Sequence, residues 1–237
     1  MSENQFDGLP DNNNNNWDDT WAFPWNEFDW ERHQKEQDKV LQAYLGHYEK
    51  FIGRHDRIDE VAHSMGWDQE DWTNDESEEG ANPAESMSAV EENENRDAPL
   101  DPYTIQKHPV FIATRALFFW LQRAWELVAP ACGPRLPMRT ALAFTHALGR
   151  AEQWGLLATQ SLDMGDFSLS VCQLKRAMVE LNAGLHQLQS QDESLHPAFA
   201  QFRRQALVRL FDIREIWLRV MRDCRDEINR RVSEGEN

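Results

Sequence analysis

Between residues 167 and 188 a large apolar residue recurs at alternating steps of four and three: Phe167, Val171, Leu174, Met178, Leu181, Leu185 and Leu188. That spacing puts every one of these side chains on a single stripe of an α-helix, whereas a β-strand alternates its faces every second residue. A stripe of this kind is the seam along which helices pack into bundles. Three neighbouring segments carry similar stripes. One follows Pro109 and presents Val110, Ala113, Leu117, Leu121, Ala124 and Val128 before ending near "APACGP". A second, after Pro137, turns Phe144, Ala147, Leu148, Ala151, Trp154, Ala158 and Leu162 inward, and a third starts near Pro197 with Phe199, Phe202, Ala206, Leu210, Ile213, Trp217 and Val220. The chain is therefore expected to be all-α, with an antiparallel four-helix bundle over about 102–232, since short connections make consecutive helices antiparallel. The last helix would run from Pro197 to about Val232, roughly 54 Å. Its arginine-rich end is expected to overhang its shorter partners or to bend.

The first hundred residues read differently. Residues 1–26 contain an Asn run and Pro10 and Pro24 and show no sustained period, which predicts an irregular or disordered arm. Asn26, followed by Glu27 and Asp29, has the form of a helix start, and Leu41, Tyr44, Leu45, Tyr48, Phe51 and Ile52 then define an apolar face that Gly53 ends. A second short helix is expected in "DRIDEVAHSMG", with Ile58, Val61, Ala62 and Met65 on one face and Gly66 as its stop. These two make up a helical segment over 27–66. From Asp68 to Asp97 there are 12 acids and one base, so 67–101 is expected to be an acidic, disordered linker too poor in apolar residues to offset the entropy of folding. Residues 233–237 are left as a tail.

Charge follows the same division. Residues 1–100 hold 26 Asp and Glu against 7 Lys and Arg, while 101–237 hold 15 against 17. An acidic arm on a near-neutral body argues against nucleic acid as the arm's partner. The N-terminus has neither a basic start nor an apolar run, and "VFIATRALFFWLQRAWELVAPA" is broken by Arg115, Arg123 and Glu126, so a cytoplasmic protein with no membrane contact is expected. Cys132, Cys172 and Cys224 fit neither a disulfide framework nor a metal pair.

Catalytic readings find little support in the residues. Glu126, Glu152, Glu180 and Glu215, one on each bundle helix, invite comparison with di-iron carboxylate bundles, but three point away from the apolar stripes and Glu152 lies at an edge. Glu60 with His63 and Glu193 with His196 are Glu-x-x-His pairs outside the bundle interior. His55, Asp59 and His63 share one face of the short helix at a spacing that suits zinc, yet no thiolate or fourth ligand is close. Arg139 with His146, and Arg57 with His63, resemble the Arg-x4-6-His signature of HEPN-type ribonucleases, a helical family in which the motif implies metal-independent RNA cleavage at a dimer interface. The resemblance covers this motif alone, Thr140 departs from the polar residue usual after the arginine, and chance supplies about two such spacings in a chain of this composition. Phosphate-loop, dinucleotide and hydrolase-elbow motifs are absent from the sequence, so no cofactor, no metal and no catalytic residue is expected.

What remains is surface. Trp17, Trp21, Trp25, Phe28 and Trp30 crowd the acidic N-terminus, and rings of this size call for a cover. One expectation is an intramolecular strap laid over Phe111, Ile112 and Phe119 on the first bundle helix and Leu207, Phe211 and Leu218 on the last. The other is a docking motif for a protein partner, which a few buried rings would anchor. Arg219, Arg222, Arg225, Arg230 and Arg231 form a secondary surface, most simply a solvated face laced by pairs such as Glu215–Arg219, Arg222–Asp226, Asp226–Arg230 and Glu227–Arg231. The functional expectation is a non-enzymatic protein acting through protein–protein association, homo-oligomers included. A nucleic-acid-associated or HEPN-like ribonuclease bundle using the arginine-rich surface, Arg139 and His146 is the alternative.

Overall fold

The computed structural model describes residues 26–67 and 104–235. Among these the regular structure is entirely helical: α1 (Glu27–Phe51), α2 (Arg57–Ser64), α3 (Pro109–Cys132), α4 (Met138–Asp163), α5 (Phe167–Gln189) and α6 (Pro197–Gly235), with short 3-10 turns at Ile105–Lys107, Gly133–Arg135 and Glu193–Leu195. No helix among the described residues is long and apolar enough to cross a membrane.

Local chemistry sets the helix starts. The Asn26 side chain accepts from the backbone N–H of Phe28 (2.8 Å) and Asp29 (3.1 Å), and the Asp29 carboxylate accepts from Asn26 N–H in return, so three backbone donors are satisfied at the helix start. Pro109 stands first in α3, where its missing N–H costs nothing, and His108 Nδ1 accepts from Val110 N–H at 3.2 Å. Asp166 does the same for Leu169 in α5. The α4–α5 turn needs a residue with positive φ, which Gly165 supplies at 73°.

In the interior, α3 packs on α4, α4 on α5, α5 on α6 and α6 on α3. Aromatic rings fill the space between them. Trp217 of α6 is fully buried, lies stacked on Phe118 of α3 with ring centres 5.9 Å apart, and donates its indole N–H to Thr114 at 3.2 Å. It reaches so close to α4 that a Cβ on Gly155 would stand 2.5 Å from the indole. Hydrogen at this position is what lets the indole pass between α3 and α4. Nearer the other end, Trp125 meets Phe144 edge-on at 4.7 Å and Phe202 at 5.3 Å, and its N–H finds Thr145. Both indoles thus bury their surface without losing a hydrogen bond.

Several particulars differ from the sequence expectation. Ile112 and Trp67 are buried, the first despite lying off the α3 stripe and the second despite falling inside the range assigned to the acidic linker. Trp67 stacks on Tyr44 at 5.9 Å and so packs with the N-terminal helices. α6 is helical to Gly235, into the residues assigned to a tail. Its basic end does not stand clear of the body: Arg231 lies over the Phe167 ring at 4.5 Å and donates to Gly165 O. The residues 1–25 and 68–103, and with them Trp17, Trp21 and Trp25, lie outside the described residues.

Candidate functional site

The N-terminal helices share the apolar core through Tyr44, Leu45, Tyr48, Ile58 and Val61, and they meet α6 through charge as well. α1 packs on α3 and α2, and its last turns bring Tyr48 and Glu49 against α6. Arg209 and Asp212 of α6 are both buried. Asp212 accepts a hydrogen bond from the Tyr48 hydroxyl and two from Arg57 of α2, through Nε and Nη2 at 2.5 Å each. The bidentate pair holds the Arg57 guanidinium above its ordinary pKa, chiefly by hydrogen bonding, and burial followed by the Asp212 charge pushes the Tyr48 hydroxyl up as well. Arg209 pairs with Glu49, donates to Gln205 O, and lies with its guanidinium 3.5 Å from the Trp120 ring centre and 5.2 Å from that of Tyr48. Burial lowers its pKa and the Glu49 charge works the other way. A guanidinium fits here because its flat face stacks on rings while its edge pairs with a carboxylate. At the rim, Arg219 joins Asp59 of α2 and Glu215 of its own helix.

With its C-terminal end fixed in this way, α1 carries its first turn outward. Phe28 is 73% exposed and Trp30 42%, the latter edge-on to the buried His33 at 6.1 Å. These are the two members of the aromatic arm that fall within the described residues, and they stand at the start of a capped helix. The five arginines of the secondary surface do not share one environment. Arg219 and Arg231 are engaged with α2 and α5, Arg222 pairs with Asp223 where Asp226 was expected, and Arg230 pairs with Glu227 where Asp226 was expected. The Glu215–Arg219 and Glu227–Arg231 pairs form as the spacing predicts.

The residues weighed for chemistry are dispersed or occupied. Glu152, at the edge of the α4 stripe, is buried, and Arg115 and Gln122 of α3 both donate to its carboxylate. Glu180 pairs with Arg150, Glu126 with Arg123 and Glu215 with Arg219, so the four carboxylates do not converge. His55 and His63 are exposed, Asp59 is taken by Arg219, and no cluster of metal-ligating side chains occurs among the described residues. Arg57 is bound to Asp212, which removes it from the Arg57–His63 motif. Arg139 and His146 are both exposed on α4, two turns apart. His108 is the most perturbed imidazole: burial pulls its pKa down to about 4, against the pull of Asp163, and leaves it neutral at the head of α3. The thiol of Cys224 is pushed up to about 11 by burial, while Cys172 is exposed.

Sequence reasoning missed the Tyr48–Asp212–Arg57 and Glu49–Arg209–Trp120 contacts. One signal was present: Arg209 falls in line with Ile213, Ile216 and Val220 at helical steps, a charge inside an apolar row. No protein-family model, curated protein or solved structure matches this chain.

Proposed function

We propose that this chain is a non-enzymatic association protein, in which α3 to α6 form an antiparallel four-helix bundle and the N-terminal aromatic arm, Trp17, Trp21, Trp25, Phe28 and Trp30, docks to a protein partner. The observation that carries this reading is the exposure of Phe28 and Trp30 at the capped start of a helix whose other end is pinned to the body by buried charge. Large rings held in water on a fixed support are suited to anchoring an interface, where a few aromatic residues supply most of the affinity. The acids around them, Asp18, Asp19, Glu27 and Asp29, keep the arm soluble while free and favour a partner surface of opposite sign.

A photoreactive phenylalanine analogue at position 28 of the full chain tests the reading. Irradiation in cell extract is expected to yield a discrete adduct with a polypeptide, and the adduct should weaken when Trp30 is also replaced by Ala. Adducts formed with nucleic acid alone, or none at all, would overturn it.

A further inference from the structure

An arm of this composition needs an acceptor that is both apolar and basic, and α6 carries one. Leu207, Phe211, Leu218 and Val232 recur along α6, with Phe211 45% exposed, Leu218 40% and Val232 55%. Arg204, Arg214 and Arg225 join them on the same face, at steps of three, four and seven. At 100° per residue all seven lie within a sector of about 80°, and from Arg204 to Val232 the sector runs about 42 Å along the helix. The acids of α6 all fall outside this sector. Arg204, Arg214 and Arg225 make no ion pair among the described residues, and Arg214 Nε is buried without a hydrogen-bond partner. The flank of α6 that α1 and α2 occupy, through Arg209, Asp212 and Arg219, is a different one.

Residues 1–25 hold five acids, Glu3, Asp7, Asp11, Asp18 and Asp19, and no base, with Trp17, Trp21 and Trp25 at steps of four. Tryptophan against arginine is chemistry this fold already uses, in Arg209 over Trp120 and in Arg176 over Trp154 at 4.9 Å. We infer that the arginine–apolar stripe of α6 is the acceptor for the tryptophan arm of a second copy of this chain. α1 and α2 contact α6 on a flank away from the stripe, which leaves the stripe open to a second copy. Two copies each offer one arm and one stripe, so a reciprocal exchange closes on itself as a dimer. This inference rests on the arm reading above and adds the surface that receives it.

Sedimentation equilibrium of the full chain tests it. The mass is expected to rise to that of a dimer as concentration increases, and to fall back with added salt as the Asp–Arg attraction is screened. R214E/R225E reverses the stripe at exposed or half-exposed positions, and D18R/D19R reverses the charge between Trp17 and Trp21. Each alone should weaken association at least about tenfold, by placing like charges opposite one another. Mixed together they should restore it, since each reversed stripe then meets an arm of opposite sign. Circular dichroism confirms that both variants keep their helices. A full chain that stays monomeric, or a mixture no better than its components, overturns the inference. A chain carrying all four changes that recovers compactness as a monomer overturns the second-copy assignment in favour of a contact within one chain. A position-28 adduct with a different polypeptide, beside a failed charge swap, would leave the arm reading standing and remove the α6 stripe.

Discussion

α6 faces two neighbourhoods that are held by opposite means. Toward α3, α4 and α5 it presents Trp217, Phe202, Phe199 and Ile213, which are buried among rings and aliphatic chains with their few polar atoms paired as neutral hydrogen bonds. Toward α1 and α2 it presents Arg209, Asp212 and Arg219, and ions supply the directional part of the contact. Apolar packing is non-directional and scales with the area removed from water, whereas a buried ion pair contributes little net stability but fixes geometry, because either ion left alone is costly. The interior therefore carries the stability, and the N-terminal contact determines where α1 points.

Removing the largest ring should break the interior side of this comparison. Trp217→Ala is expected to cost about 4 kcal/mol and to lower the thermal midpoint of the whole chain, as calorimetry would show; a small loss would mean that the ring is not central. Acid provides the next largest effect. The pKa of His108 falls from 6.5 to about 4 on folding. Between these values the unfolded chain binds the proton and the folded chain does not, so stability is lost as pH drops from about 6.5 to about 4, up to about 3 kcal/mol. His108→Asn keeps an acceptor for the Val110 N–H and removes that part of the pH dependence, which urea titrations at pH 7 and pH 4.5 would reveal.

Asp212→Ala strikes the ionic side. It leaves Tyr48 and Arg57 without their acceptor and should cost about 2 kcal/mol, less than a fully buried pair because Arg57 keeps some access to water. The change should appear in hydrogen exchange as lost protection in α1 and α2 with α3 and α5 unaltered. Uniform loss across all helices would erase the distinction between the two regions. Smallest of all, Asp59→Ala at the exposed rim should change stability by under about 0.5 kcal/mol.

The helices themselves were legible because their signals are local. Asn26 with Asp29, Pro109, Asp166 and the four-three rhythm of α5 are each contained within one segment of sequence. What pairs with what across the chain is not local. Asp212 and Tyr48 stand 164 residues apart, and a carboxylate on a helix reads as solvated until its partner is known. Glu152 illustrates the same limit: helical geometry puts it at the edge of a stripe, and Arg115 and Gln122 turn that edge into a buried site. Trp67 was placed in the acidic linker by its neighbours in sequence, whereas its environment is decided by Tyr44.

The placement of Arg209 and Asp212 on the last helix also bears on how the molecule is made. During synthesis α1 and α2 emerge first, yet the charges that fix them are encoded about 145 residues later, which at ordinary elongation rates means a wait of roughly 10–30 s. Until α3 emerges, Tyr44, Tyr48 and Trp67 have only one another to pack against. The nascent chain must carry those rings past the ribosome with only its surrounding negative charge to keep them from premature partners.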